Sequence, residues 1–509
     1  LPISSSGGIN DKLIVDAVKD GSLDEAVLDR AVERILNIVY RFEENRDKTA
    51  VFDRDRDHEM AKKVAEETIV LLKNEDNLLP LSEKEDIAFI GKYARKPRYQ
   101  GGGSSHINSH KVTGAWDCVK DWGNITFAEG YADDADVVDE AMIAEAVANA
   151  SKAKAAVIFA GLPDAFESEG FDRAHMGMPG CQNELIERVA AVQPNTIVVL
   201  HNGSPVEMPW ADKVKGIVEA YLGGQAVGAA TVDILFGKVN PSAKLPESFP
   251  YKLEDNPSFL YYLGEGDRVE YREGVFVGYR YYDTKKMEVR FPFGFGLSYT
   301  SYEYSNLKVS ADHIKDTDVL EVSVDVTNTG GMAGKEVVQL YVSDVESTVI
   351  RPVKELKGFE KVELAPGETK TVTFTLDKRA FAYWNTQLHD WHVETGEFRI
   401  LIGKSSRDIQ LEAAVTVEST VKVPVHYTMD TTFGDLMKDE KAMQIIAPMM
   451  QLNIGGQQNE SDAAAEAISR EMMEAMMKYM PIRGILSFAG GKVTLEQLTG
   501  LLDQLNAAQ

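Results

Sequence analysis

Four short, nearly continuous apolar runs organise the first half of the chain, at residues 86–91, 155–162, 196–201 and 216–222. Hydrophobicity without alternation marks strands covered on both faces, as in a parallel sheet. Segments with helical spacing, near 141–150 and 182–191, separate these runs. The pattern predicts an α/β layered domain over residues 86–250. Residues 251–300 are rich in Tyr, Gly, Pro and Phe and read as a long ordered connection. Past Tyr299 the period changes to two. Residues 321–326 alternate Glu-Val-Ser-Val-Asp-Val, and Thr329-Gly330-Gly331 follows as a turn. Runs at 337–342, 371–376, 398–402 and 411–417 continue the alternation, which predicts a β-sandwich over 301–422.

Helical periodicity frames both ends. Residues 1–45 open with Ser4-Ser5-Ser6-Gly7-Gly8, and Ser22 with Glu25 forms a predicted capping box. The stripe Val27, Leu28, Ala31, Ile35 and Leu36 follows. A piece of that size cannot enclose a core alone, so it reads as the end of a larger domain or an arm that packs elsewhere. Residues 46–85 read as a linker with a lead-in helix over 58–73, its apolar face carrying Ala61, Ala65, Thr68 and Leu72. Residues 423–509 form a Met-rich helical tail. Met472, Met473, Met476, Met477 and Met480 share one face there. Thr494 and Gln497 make a second capping box before Leu498, Leu502 and Leu505. Packing within the protomer is the first expectation for an adaptable Met face. Contact between copies in a homo-oligomer is the second.

Composition narrows the partners. With 54 basic and 80 acidic residues the formal net charge is −26. Nucleic acid is disfavoured, because its binding rests on Lys and Arg at phosphates. A neutral ligand such as a sugar suits this balance. Cys118 and Cys181 provide no disulfide framework. One bridge is open to them, and free thiols in a reducing compartment are the expectation. No apolar run reaches the ~18 residues that span a membrane. Leu1 opens no signal peptide, so the expected location is cytoplasmic. Secretion stays open because the native start need not be Leu1.

The densest candidate chemistry is Glu167-Ser168-Glu169-Gly170-Phe171-Asp172-Arg173, just past the second apolar run. Ligands of open α/β sheets bind at that carboxyl edge. A carboxyl beside other carboxylates and an apolar wall would hold its proton to higher pH, as a general acid requires. A solvated acidic loop is the plain alternative. Gly101–Gly103 lacks the Lys-Ser/Thr and glycine spacing of phosphate cradles. His389, Asp390 and His392 have loose metal-ligand spacing but read as structural, beside Trp391. No metal site is expected.

Motifs in order along the chain carry a resemblance. They are Ser5-Ser6-Gly7-Gly8-Ile9-Asn10 with Ala31-Val32-Glu33-Arg34-Ile35-Leu36, residues 65–74 closing with Leu79-Pro80-Leu81, and Gly101-Gly102-Gly103-Ser104-Ser105-His106. The Glu-Gly-Phe-Asp-Arg loop, residues 291–300 and Pro352-Val353-Lys354-Glu355-Leu356-Lys357-Gly358-Phe359 complete the set. Through residue 422 the chain resembles the carboxyl-terminal portion of a glycoside hydrolase family 3 β-glucosidase.

That resemblance implies an α/β sandwich domain, a fibronectin type III-like domain and retaining hydrolysis by two carboxylates. It makes residues 1–45 the end of a catalytic barrel. Glu169 matches the acid/base, with Glu167 the runner-up. Ser104 matches a residue that hydrogen-bonds the sugar, and Ser105 adjoins it on the substrate side. Asp172 and Arg173 are further substrate-side candidates, with shaping of the loop as their first reading. The nucleophile, an Asp before Trp on a barrel strand, has no counterpart here. A (β/α)8 barrel needs about 200 residues or more. Asp121-Trp122 and Asp390-Trp391 imitate the dipeptide in the wrong domains and read as surface or packing residues. The implied partners are a small carbohydrate substrate and a barrel, in the same precursor or on a second chain. No cofactor is implied. A non-catalytic carbohydrate-binding or assembly subunit is the alternative function.

Overall fold

The computed structural model describes residues 8–132, 136–450, 475, 478–488 and 493–507. The chain divides into two compact units. The first comprises residues 1–69, 73–204 and 209–239, and the second residues 70–72, 205–208 and 240–509.

The first unit begins with three helices, α1 (Ile9–Lys19), α2 (Glu25–Glu44) and α3 (Arg54–Thr68). The cap of α2 differs from the predicted box. Its first turn is at Glu25, so Asp24 occupies the capping position and accepts the Ala26 N–H at 3.0 Å. Ser22 instead donates its hydroxyl to the Ala17 carbonyl, in the turn that ends α1. No residue of α2 is buried, and its apolar stripe lies open, with Ile35, Ile38 and Phe42 each at least 60% exposed.

The predicted helix over 58–73 stops at Thr68, and Leu72 belongs to strand β1 (Val70–Asn74). The reason is burial. Ile69, Val70, Leu71 and Leu72 are consecutive and all buried, which a helix with one covered face cannot provide, whereas a strand covered on both sides can.

Strands β2 (Ile87–Ile90), β3 (Ile125–Ala128), β4 (Ala155–Gly161), β5 (Thr196–His201) and β6 (Gly216–Glu219) continue the sheet, in the order β1-β6-β5-β4-β2-β3. Parallel pairing joins β3 to β2, β2 to β4, β4 to β5 and β5 to β6. Helices α4 (Ala115–Val119), α5 (Glu140–Ala150) and α6 (Gly180–Ala190) lie in the crossovers, and α7 (Val227–Leu235) follows β6. Every residue of β2, β4, β5 and β6 is buried. From β2 the chain moves outward to β3, then returns to β4 on the other side of β2. That reversal is a topological switch point, and the carboxyl ends of β2 and β4 open there. Gly161, at φ 150°, makes the close approach of β4 to β5 feasible, since a side chain would collide with the His201 carbonyl.

In the second unit the period-two pattern becomes a two-sheet sandwich. Its strands are β7 (Tyr302–Val309), β8 (His313–Lys315), β9 (Leu320–Asn328), β10 (Gly334–Asp344), β11 (Glu355–Leu364) and β12 (Thr369–Leu376). After them come β13 (Tyr383–Asn385), β14 (Asp390–His392), β15 (Gly396–Gly403) and β16 (Ile409–Glu418). One sheet runs β11-β10-β15-β16-β8 and the other β12-β9-β7. Val322, Val324 and Val326 of β9 share a core with Leu340, Phe398, Ile400 and Ile402.

Strands β13 and β14 pair as a hairpin that places His389 at an exposed turn and His392 in a ring contact with Tyr383. Among the described residues no group of three or more His, Cys, Asp or Glu side chains converges on a metal position. Trp391 lies under the Arg379 guanidinium at 3.5 Å, and Trp122 packs on Phe236 at 4.9 Å, so both Asp-Trp pairs serve packing. Cys118 and Cys181 are free. No described helix is long and apolar enough to cross a membrane.

The tail builds its own cluster from Tyr427, Phe433, Leu436, Ile446, Ile482, Leu498, Leu502 and Leu505. Thr494 and Gln497 cap its last helix, Leu495–Ala507, reciprocally: the Thr494 N–H meets Gln497 Oε1 at 2.9 Å and the Gln497 N–H meets Thr494 Oγ1 at 3.2 Å. Met480 packs against this cluster. Met472, Met473, Met476 and Met477 lie outside the described residues.

Candidate active site

The loop that follows β4 opens with a tight turn, where the Pro163 carbonyl accepts N–H donors from Phe166 and Glu167. A polar cavity of about 490 Å³ lies beside it, lined by Lys92, Tyr93, Arg98, Pro163, Phe166 and Cys181. The loop after β2 supplies Arg98 and the 3-10 turn Gly103–Ser105. These two carboxyl-edge loops meet at Glu167 and Glu169 and sort the two carboxylates into different environments.

Glu167 points inward. Arg98 Nη1 donates to its Oε2 at 2.5 Å, and Arg98 Nη2 donates to the Glu167 backbone carbonyl at 2.7 Å. The Gly203 N–H donates to Oε2 at 2.8 Å, and the Ser204 hydroxyl donates to Oε1. Burial pushes the Glu167 carboxyl up, but the Ser204 hydroxyl, Arg98 and the Gly203 N–H together hold it below the usual glutamate range. Arg98 is itself buried and also reaches Asp164 at 3.3 Å.

Glu169 points outward. Its carboxylate accepts the Ser104 N–H at 2.6 Å and the Ser104 hydroxyl at the same oxygen. Those two donors, the hydroxyl first, hold its carboxyl below the usual range. This reverses the expectation of a raised value from neighbouring carboxylates and an apolar wall. Glu169 is exposed, and hydrogen bonds to its ionised form outweigh desolvation. The approach needs a glycine before Ser104. Gly103 sits at φ 83°, and a Cβ there would lie 2.5 Å from the Glu169 Cβ.

The other expected residues separate. Ser105 donates its hydroxyl to the Gly102 carbonyl at 3.2 Å and so bonds within its own loop. Arg173 donates to Ser204 Oγ at 2.7 Å and lies 4.0 Å from Glu167, which binds it to the inward cluster. The Asp172 side chain is exposed. Arg98, Gly203 and Ser204 are absent from the sequence-derived candidates. Arg98 stands 69 residues before Glu167 in an irregular loop, where periodicity carries no signal.

Comparison with known proteins places the chain. Residues 69–299 match the glycosyl hydrolase family 3 C-terminal domain, and residues 336–406 match the fibronectin type III-like domain. Thermostable beta-glucosidase B of Acetivibrio thermocellus is 54% identical over 510 residues, covering 99% of this chain and 67% of that protein. An exo-alpha-(1->6)-L-arabinopyranosidase of Bifidobacterium breve is 41% identical over 94% of this chain and 64% of its own length. The crystal structure of Bifidobacterium adolescentis GH3 beta-glucosidase superposes with a TM-score of 0.80 at 43% identity, covering 86% of this chain and 64% of that one. The chain thus spans about two thirds of the length of the relatives it matches. Its α/β domain, its fibronectin-like sandwich and its similarity across nearly all of its length together show that it belongs to glycosyl hydrolase family 3.

Proposed function

We propose that this chain takes part in retaining hydrolysis of β-glycosides, β-D-glucosides and their oligosaccharides foremost, with Glu169 as the acid/base. One observation carries the assignment: Glu169 is the carboxylate held outward on Ser104, while Glu167 is committed inward to Arg98, Gly203 and Ser204. A group that must reach a glycosidic oxygen has to be accessible, and three donors already occupy the Glu167 carboxylate.

Retention needs a second carboxylate about 5–5.5 Å away as nucleophile. We assign that role to an Asp on a barrel domain, in the same precursor or on a second chain. The relatives' greater length supports this. So does the open apolar stripe of α2, which suits the closing helix of a barrel and supports assigning residues 1–45 to that domain. In the first step Glu169 protonates the leaving oxygen while the Asp attacks the anomeric carbon. In the second it takes a proton from the water that releases the sugar. Ser104 opposes protonation as long as it donates to Glu169. A sugar hydroxyl that accepts the Ser104 hydroxyl in its place would let the Glu169 pKa rise for the acid step.

The decisive assay is turnover of an aryl β-glucoside by the 509-residue chain with and without a barrel polypeptide from a family member. Turnover that requires both supports the proposal. Turnover by the chain alone refutes the division of labour, and carbohydrate binding without turnover in either case supports a binding or assembly subunit. Because one relative is named an arabinopyranosidase, aryl α-L-arabinopyranoside belongs in the same assay.

A further inference from the structure

We infer that Glu167 is a positioning residue for Glu169, the fixed point from which the acid/base loop is held against Ser104. The inference rests on the proposed role of Glu169 and extends it to a residue that never touches the sugar.

The cluster around Glu167 is rooted in the sheet. Asn202 and Glu219 lie at the carboxyl ends of β5 and β6, and both are fully buried. Asn202 Nδ2 donates to Glu219 Oε2 at 3.1 Å and to the Ser204 carbonyl at 3.0 Å. Glu219 Oε1 accepts the Tyr221 N–H at 2.9 Å. This fixes the turn Gly203-Ser204, which presents one N–H and one hydroxyl to the Glu167 carboxylate. Arg98 grips both the Glu167 carboxylate and its backbone carbonyl. Side-chain and main-chain restraints thus converge on a single residue of the loop.

Two residues later the chain reaches Glu169. Between them stands only Ser168, and Gly170 follows at φ 97°. Glu169 is itself exposed, and among the described residues its carboxylate accepts hydrogen bonds from Ser104 alone. Arg173 returns to the same cluster through Ser204, so Glu169 is carried between two loop residues that are both held at Glu167 and its partners. A displacement of about 1 Å at a catalytic group can cost about a hundredfold in rate. Arg98 does double duty, because it emerges from the same loop that carries Ser104. The Arg98–Glu167 pair therefore sets the separation between the two loops that meet at Glu169.

A double-mutant cycle in the barrel-complemented enzyme tests this, with Glu167→Ala made alone and in a Glu169→Gln background. The expected result is a loss of about a hundredfold in kcat for a poor leaving group in the first case and almost none in the second. Equal losses in both backgrounds would overturn the inference, because Glu167 would then act independently of Glu169. Glu167→Gln, which retains a carbonyl acceptor for the Gly203 N–H, should recover part of the loss. Hydrogen exchange on the 509-residue chain supplies a readout without turnover. Residues 168–173 should exchange faster in Glu167→Ala while β4 stays protected, and unchanged loop exchange would also overturn the inference. If instead Glu169→Gln loses no acid function, the acid/base assignment fails, an outcome separate from additivity in the cycle.

Discussion

Ser104 gives both of its donors, backbone N–H and hydroxyl, to one carboxylate oxygen of Glu169. The contact joins the loop after β2 to the loop after β4, across the switch point of the parallel sheet. It holds the candidate acid/base in place and in its ionised form at once.

Removing the Ser104 hydroxyl should therefore raise the Glu169 pKa. Ser104→Ala takes away the largest contribution that favours the carboxylate. A carbon-13 NMR titration of the Glu169 carboxyl should show its midpoint moving up toward an ordinary glutamate value, about 4.3. Ser104→Thr should leave it nearly where it is. A midpoint insensitive to Ser104→Ala would mean that the hydroxyl does not bond Glu169 in solution.

The inward cluster carries its own pH dependence. The folded Glu167 carboxyl lies below its ordinary range. Its contribution is therefore present above the unfolded value of about 4.3 and is lost as pH falls through the depressed folded value. Exchange protection of residues 163–175 should be flat from about pH 7 to 5 and should decline below about pH 4. In Glu167→Gln that decline should disappear from the loop. Persistence of the same acid-induced opening in the variant would assign it to another group.

The tail should behave as a small packed unit. Leu498 is fully buried in its cluster, so Leu498→Ala should destabilise that cluster by about 2–5 kcal/mol. Exchange should speed up in the helix Leu495–Ala507 without loosening β4 or β5. Light scattering should record an unchanged mass. A fall in mass would instead favour contacts between copies through the Met-rich face.

Much of the sheet was legible because parallel strands are covered on both faces. That condition writes β2, β4, β5 and β6 into the sequence as unbroken apolar runs. β3 escaped because it lies at the sheet edge and exposes Thr126, which breaks the apolar run. β1 escaped because Leu72 continues the helical spacing of Ala61, Ala65 and Thr68. The sandwich strands were legible through alternation, as in β9, whose valines face the core every second residue. At the site, Glu169 and Ser104 were reachable through their motifs. Their mutual contact was not, since it depends on how two distant loops close. Arg98 and Ser204 left no local signal, because an ion pair across 69 residues has no period. The expected raised pKa failed for the same reason: proximity of acidic residues in sequence said nothing about the donors that folding brings to each.

The most direct test of the account is chemical rescue of Glu169→Gln in the barrel-complemented enzyme. An activated aryl β-glucoside needs no proton on its leaving group, so its first step should survive the substitution, while glucosides with poor leaving groups should lose most of their rate. Added azide should accelerate turnover of the activated substrate and give a β-glycosyl azide. The same experiment on Glu167→Gln should show a weaker leaving-group dependence and no azide product, because Glu169 is displaced but still present. If Glu167→Gln gives the azide adduct and Glu169→Gln does not, the assignment of the acid/base to the Ser104-bound carboxylate is contradicted.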